Sequence, residues 1–244
     1  MTEHEYLGPQ GLRTRGTILV LPGRGETRRS YARFGARLAA DAYRVRVLAP
    51  PASPDGLAAV VAGAVADLGP DPVLPIVLVG SDLSAAAVGA LVAGGDTTGR
   101  GRPQAVVLAG LPGYARSTTA SWDEELDART HCPVHRGVLS GDADVEPGAL
   151  DEAPPADLLD AAYGSTADLP HLLLIGDADP YADRAALTGL TKALPRARLV
   201  VVHDGHHDVL NDLQHRSVAA EIVTFLETVR NELRPVLSVE SSAW

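Results

Sequence analysis

Cysteine is almost absent from this chain of 244 residues: Cys132 is the only one, so no internal disulfide framework can form. A single cysteine fits a reducing compartment. Basic residues are also in deficit, with 21 Lys and Arg against 31 Asp and Glu and a net charge of −10. This balance argues against nucleic acid or an anionic membrane surface as the main partner, because both require a basic face.

Long apolar runs are missing as well. No segment approaches the ~18 consecutive apolar residues that a membrane-spanning helix needs. The first five residues lack the basic and apolar regions of a secretory signal, so we expect a cytoplasmic protein. At 45% hydrophobic residues, the chain is long enough to form one large α/β domain.

Short apolar runs of strand length alternate with helical patterns along the chain. We predict strands at 17–21, 43–48, 74–79, 105–109, 172–175 and 199–202, and helices at 29–42, 55–68, 85–91 and 216–233, with a Pro-Pro break at 50–51. This alternation predicts βαβ units, and therefore a mostly parallel sheet with helices on both faces. Ligands of such sheets bind at the carboxyl ends of the strands.

One stretch interrupts the alternation. Residues 112–168 contain several prolines, glycines and acids but no convincing strand, and a loop of this length in a compact domain is usually functional or disordered. Short helical patterns at 121–130 and 155–163 predict a small helical lid. The expected organisation is therefore a core of residues 1–111 and 169–234, a lid insertion at 112–168 and a flexible tail at 235–244.

The turn Gly80-Ser81-Asp82-Leu83-Ser84 is the most informative motif. It lies between the predicted strand 74–79 and the small-residue helix 85–91. A strand, a tight turn and a helix in this order are typical of a nucleophile elbow, usually written G-x-S-x-G. Counting from Gly80, the nucleophile position falls on Asp82, and Ser84 replaces the closing glycine.

Two further strand ends carry polar residues suited to the same chemistry. The strand at 172–175 is followed by Gly-Asp-Ala-Asp, in which Asp179 is the expected acid and Asp177 its competitor. The last strand is followed by Asp-Gly-His-His, in which His207 is the expected histidine and His206 its competitor. The acid accepts the histidine Nδ1–H and stabilises the imidazolium.

The order nucleophile, acid, histidine resembles that of the α/β-hydrolase superfamily, with Asp82, Asp179 and His207 as the triad. The resemblance covers most of the chain and implies a three-layer α/β-hydrolase fold with a mostly parallel sheet. It also implies an oxyanion hole made by the backbone amides of Leu83 and Arg24. The carboxylate at the elbow is the triad type of epoxide hydrolases and haloalkane dehalogenases.

A carboxylate is already ionised near neutral pH, and its attack on an sp³ carbon gives an alkyl ester that His207 can hydrolyse by activating water. We therefore expect epoxide- or ester-type hydrolysis of a small, largely apolar molecule. Three alternatives stay open: Ser81 is the nucleophile, Asp82 is the general base of a non-hydrolytic lyase or cyclase, or the protein is an inactive small-molecule binder.

Further residues are expected near the substrate, beside Asp82 or in the lid; they are Gly23, Ser81, Tyr114, Trp122, Tyr163 and Tyr181. The cluster His131, Cys132 and His135 offers metal ligands, but a structural zinc site needs four, so we expect lid packing there. No metal or organic cofactor is expected, and the loop Pro22–Glu26 lacks the full phosphate-binding patterns. The oligomeric state, a homodimer included, is left open.

Overall fold

The sheet forms the centre of the protein. The computed structural model describes residues 4–49, 56–95, 102–115 and 118–242; the Pro-Pro break predicted at 50–51 lies outside them, as do the first three residues and the last two. The strands are β1 (Glu5–Tyr6), β2 (Thr17–Leu21), β3 (Arg44–Val47), β4 (Ile76–Ser81), β5 (Ala105–Ala109), β6 (His171–Gly176) and β7 (Ala197–Val202).

These strands form one sheet in the order β1-β3-β2-β4-β5-β6-β7. All neighbours are parallel except β1, which runs antiparallel to β3 at the edge. The six predicted strands are all present, whereas β1 was not predicted. The fourth strand begins at Ile76 rather than at 74, because Pro75 has no N–H to give to a ladder. Its carbonyl accepts the Thr17 N–H instead.

Helices cover both faces of the sheet. They are α1 (Ala32–Ala40), α2 (Leu57–Ala66), α3 (Leu83–Ala93), α4 (Trp122–Arg129), α5 (Pro133–Gly141), α6 (Ala156–Tyr163), α7 (Arg184–Ala193) and α8 (His215–Arg230). One apolar core joins α1 and α8 to the sheet. A second core, on the opposite face, joins it to α2, α3, α6 and α7. The protein therefore has the predicted three layers, and no helix within its described residues is long and apolar enough to cross a membrane.

The insertion (residues 112–168) follows β5 and contains α4, α5 and α6. Helices α4 and α6 match the predicted helical patterns, but α5 was not predicted, and neither was α7 of the core. Helix α6 packs along α3, with Ala162 against Gly89. After α8, the described residues of the tail form no helix or strand. Helix α6 therefore belongs to the apolar core on the α3 face of the sheet.

The close packing at the end of β4, where the chain turns into α3, can be tested by adding one methyl group at Gly80. A Cβ at Gly80 would lie 2.5 Å from the Ser84 carbonyl oxygen and 2.8 Å from Ala85 Cα. We expect Gly80→Ala to lower the free energy of unfolding by about 1–3 kcal/mol, because backbone atoms must move to make room.

Gly63→Ala in α2 is the matched control, since a Cβ there meets nothing within 4 Å. Removing a helical glycine should raise stability by about 0.5–1 kcal/mol. Urea unfolding measures both variants, and equal stability of the two would contradict the tight turn described here.

Candidate active site

Asp82 lies at the tip of the turn between β4 and α3. Its backbone has φ 51° and ψ −125°, a conformation that costs a non-glycine residue about 1–3 kcal/mol. Such strain at the junction of a strand and a helix is the geometry of a nucleophile elbow. The Asp82 N–H donates to the Ala109 carbonyl at 2.9 Å, and the residue is only 1% exposed.

The structure brings Asp82, His207 and Asp179 into one line of hydrogen bonds. His207 Nε2 lies 3.0 Å from Asp82 Oδ1. On the other side of the ring, His207 Nδ1 lies 3.1 Å and 3.0 Å from the two Asp179 oxygens. The His207 and Asp179 side chains are fully buried. The hydrogen-bond pattern is similar to that of an acid–histidine–nucleophile triad, with a carboxylate where a triad has its nucleophile.

Arg24 holds the Asp82 carboxylate from the opposite side. Its backbone N–H donates to Asp82 Oδ2 at 2.9 Å. The guanidinium adds two further bonds, from Nε to Oδ2 and from Nη2 to Oδ1, each at 2.8 Å. With His207, four donors reach the carboxylate, which has about four lone-pair sites.

The buried site contains two carboxylates, those of Asp82 and Asp179, and two groups that can carry positive charge, the Arg24 guanidinium and the His207 ring. Burial would raise the pKa of Asp82, but the Arg24 guanidinium and His207 outweigh it and hold that pKa well below its usual value. Burial likewise lowers the pKa of His207, yet Asp179 and Asp82 overcome this and raise it to about 10. The resting site is therefore a carboxylate paired with an imidazolium.

The Arg24 loop (residues 22–28) is fixed by short bonds to its neighbours. The Gly23 N–H donates to Glu26 Oε2 at 2.9 Å, and Tyr31 OH donates to the same oxygen. Ser84 Oγ donates to the Pro22 carbonyl at 2.6 Å. The serine that replaces the closing glycine of the elbow thus ties α3 to this loop. Leu83 opens α3, where the first-turn amides have no helical acceptor.

Helix α4 of the insertion joins the Arg24 loop to the His207 loop (residues 203–211). Arg129 is fully buried and its Nη2 donates to the Arg24 carbonyl at 2.8 Å. Its Nε and Nη2 also donate to Glu125 Oε1, at 3.0 Å and 2.9 Å. The end of α4 accepts the backbone amides of His207 and Asp208. The insertion is therefore bonded to both loops that carry the site.

Two cavities adjoin Arg24. A cleft of about 680 Å³ lies between the Arg24 loop, the first turns of α3 and the insertion. Its walls include Leu83 and Ala87, and its rim includes three acids, Asp144, Glu146 and Glu152. A much smaller cavity of about 10 Å³ lies on the other side of Arg24, next to Tyr181. Arg24 separates Asp82 from both.

The remaining predicted residues lie at different distances from the triad. Tyr181 packs on the His207 ring, with centroids 5.0 Å apart. Tyr163 donates its hydroxyl to the Pro112 carbonyl at 3.0 Å. The other three predicted residues have partners outside the triad. Ser81 bonds with Tyr31, Tyr114 is half-exposed and donates to Asp160, and Trp122 packs on the small apolar cluster of α4 and α5.

The two competitors identified in the sequence have other partners. Asp177 is exposed and pairs with His203 at 2.9 Å. His206 Nδ1 lies 2.9 Å from Asp212. No pattern in the sequence indicated that the Arg24 side chain, Arg129 or Glu26 belongs to the site. A buried Arg and Glu four residues apart in α4 were the one available signal, and surface helices carry such pairs too.

No family model matches the sequence, and no curated protein matches it. In structure it is similar to the monoacylglycerol lipase of Paleococcus ferrophilus, with a TM-score of 0.73, 18% identity, and coverage of 92% of this chain and 97% of the lipase. The structure of a soluble variant of the monoglyceride lipase of Saccharomyces cerevisiae, solved with a substrate analogue, has a TM-score of 0.71 at 13% identity, and the match covers 92% of this chain and 90% of the lipase. The enol-lactonase of Burkholderia xenovorans LB400 gives 0.66 at 17% identity, covering 91% and 95%. The chain therefore has the α/β-hydrolase fold, and the predicted fold class is confirmed.

The buried Arg129 provides a test of the link between insertion and core. Arg129→Met would leave the Glu125 carboxylate buried without its cation, so we expect a loss of about 3–5 kcal/mol in unfolding free energy. Arg136→Met is the control, because Arg136 pairs with Asp127 at the surface, where such pairs contribute about 0–1 kcal/mol. Chemical denaturation of both variants measures the difference; a similar small loss in each would contradict the role of Arg129.

Proposed function

We propose that this protein is a hydrolase in which Asp82 attacks an sp³ carbon of a small, largely apolar substrate such as an epoxide. The observation that supports this most directly is the position of the Asp82 carboxylate. It lies between the Arg24 backbone amide on Oδ2 and His207 on Oδ1, with Asp179 behind the histidine. Oδ2 thus accepts the amide that would serve as oxyanion donor, and Oδ1 can react once Arg24 Nη2 and His207 Nε2 move away from it.

In the first step, Asp82 Oδ1 forms a bond to the substrate carbon while the carbon–oxygen bond of the epoxide breaks. The leaving oxygen takes the proton from His207 Nε2. The Asp82 side chain becomes a neutral alkyl ester, and His207 becomes a neutral imidazole that Asp179 keeps oriented.

In the second step, neutral His207 removes a proton from water, whose oxygen attacks the Asp82 Cγ. The amides of Arg24 and Leu83 stabilise the resulting oxyanion. The ester bond then breaks and the departing alkoxide takes the His207 proton. The acid left on Asp82 returns its proton to His207, so the sum is epoxide plus water giving a diol.

Two features favour this use of Asp82. Its pKa is held well below the ordinary value, which makes it a poor general base because such bases work best with a pKa near the working pH. The cleft beside it is lined by Leu83, Ala87 and other apolar residues, and by more acidic than basic side chains, which suits a neutral molecule better than an anion. The insertion, as a lid, closes over the substrate in this proposal.

Isotope labelling tests the nucleophile directly. We expect a single turnover in H₂¹⁸O to place label in the peptide containing Asp82, because water attacks the ester at that carboxyl carbon. A panel of epoxides, haloalkanes, esters and lactones is screened first to find a substrate. Turnover without label in this peptide would eliminate Asp82 as nucleophile.

Two variants sharpen this experiment. In His207→Gln water must supply the proton to the leaving oxygen, so the ester should form more slowly and not be hydrolysed, and intact-protein mass spectrometry should show the enzyme with one added substrate mass. Asp177→Asn is the matched control, since this carboxylate is exposed and follows β6, the strand that also precedes Asp179. This variant should leave labelling of Asp82 unchanged.

Removing the Arg24 side chain should expose Asp82. Arg24→Met keeps the backbone amide but removes two of the four bonds that hold the carboxylate. We expect alkylation of Asp82 by a small epoxide to accelerate about tenfold, equivalent to ~1.4 kcal/mol of barrier. Mass spectrometry follows the adduct with time, and Arg28→Met, at the edge of the same cleft, is the control. A slower reaction in Arg24→Met would show that the guanidinium assists the chemistry.

The saturated hydrogen bonding of Asp82 supports a second candidate, a small-molecule binding protein without turnover. In that function the cleft binds its ligand and the Arg24–Asp82 pair remains closed. Unchanged ligand affinity in Asp82→Asn, together with no reaction across the substrate panel, would favour it.

A further inference from the structure

The cluster of His131, Cys132 and His135 does not form a joint site. The His131 ring stacks on the ring of His206, with centroids 3.7 Å apart. Cys132 Sγ accepts a hydrogen bond from Arg33 Nη1 at 3.2 Å. The His135 side chain is 2% exposed, and it is the member of the cluster that reaches Glu26 and Asp208. Its partners come from the two loops that carry the candidate active site.

These partners are Glu26, two residues after Arg24, and Asp208, directly after His207. His135 Nε2 lies 3.1 Å from Asp208 Oδ2 and 3.7 Å from Glu26 Oε1. One nitrogen and two carboxylate oxygens thus lie within 4.8 Å of one another. Glu26 is 4% exposed and Asp208 is 2% exposed, so water screens neither charge.

Positive charge is scarce around this cluster. Three buried carboxylates, those of Glu26, Asp208 and Glu125, face a single guanidinium, that of Arg129. Among the described residues, Glu26 Oε1 and Asp208 Oδ1 are buried without any hydrogen-bond partner. Orphaned carboxylate oxygens in a protein interior are costly. Burial and the nearby Asp208 carboxylate raise the pKa of Glu26 to about 7, in line with this deficit.

A proton on Glu26 removes only part of the deficit. It neutralises one carboxylate, and two buried carboxylates, those of Asp208 and Glu125, then still face the single guanidinium of Arg129. A divalent cation between the three side chains contacts both carboxylates at once, and its two charges balance three carboxylates against one guanidinium.

We propose that Glu26, His135 and Asp208 bind one divalent transition-metal cation, with Zn²⁺ the best fit. A nitrogen and two oxygens are donors that zinc accepts, with a water molecule as the fourth ligand, as in zinc sites that have three protein ligands. Bonds of ~2.0–2.1 Å in a tetrahedron place ligand atoms ~3.3 Å apart. The observed separations of 3.1 Å and 3.7 Å lie on either side of that distance. The bound cation joins α5 to the Arg24 loop and to the His207 loop, and this inference is independent of the proposed reaction.

Neighbouring residues already orient two of the ligands. Tyr31 OH and the Gly23 N–H both donate to Glu26 Oε2, which leaves Oε1 directed at the cluster. The Asp208 backbone amide donates to the Arg129 carbonyl at 2.8 Å. Outer partners of this kind commonly fix the ligands of metal sites.

The test is metal content after refolding. The full chain is stripped with a chelator, unfolded, refolded with Zn²⁺ and dialysed, so that slow entry into a buried site does not hide binding. We expect about one zinc per chain by elemental mass spectrometry and a raised melting temperature. Refolding with Co²⁺ should give the visible absorption of tetrahedral coordination.

His135→Gln and His131→Gln form the matched pair, because both histidines come from one segment and only His135 faces the cluster. We expect His135→Gln to weaken zinc binding at least ~10-fold and His131→Gln to leave it unchanged. Glu26→Gln, which preserves side-chain shape, replaces His135→Gln if that variant does not fold. Absence of zinc from the refolded wild type, or equal zinc in the two histidine variants, would overturn the proposal.

Discussion

A carboxylate buried at a strained turn requires compensation by positive charge, and the arrangement of the site follows from that requirement. Asp82 is held at the end of β4 by backbone bonds and is almost inaccessible to water. Arg24 and His207 supply the compensation from opposite sides, and Asp179 supports the histidine. Three strand ends and one loop must therefore meet at a single point.

The insertion takes part in the same network rather than only covering it. Its Arg129 is fully buried and donates to the Arg24 carbonyl and to Glu125. The adjacent backbone of α4 accepts the amides of His207 and Asp208. Since the Arg24 loop and the His207 loop are bonded to the same helix, a displacement of α4 would act on both sides of Asp82.

The central part of this structure could be predicted from the sequence because its signals are local. Buried parallel strands appear as continuous apolar runs, and the carboxyl ends of such strands lie at one edge of the sheet. The meeting of Asp82, Asp179 and His207 followed from these two facts. Strand β1 was missed because two residues are too few to show a periodicity. Helix α7 was missed because it contains Gly189 and two threonines, which are weak helix formers, and buries only Leu187 and Leu190.

The pairing of charges could not be predicted in the same way. Arg24 and Asp82 are 58 positions apart, and Arg129 is 105 positions from the Arg24 carbonyl that it contacts. Nothing local to these residues distinguishes them from the surface arginines of a chain with many such side chains. Only the folded backbone decides which guanidinium is buried and which carboxylate it meets.

Arg24 combines a fixed part and a movable part in one residue. Its amide is held by the loop on Asp82 Oδ2, whereas its guanidinium also reaches the carbonyls of Leu150 and Glu152 in the insertion. Rotation about side-chain bonds toward these carbonyls would uncover Asp82 without displacing the amide. Access to the carboxylate then depends on a rotamer change, which in proteins is generally far faster than the opening of a loop or domain.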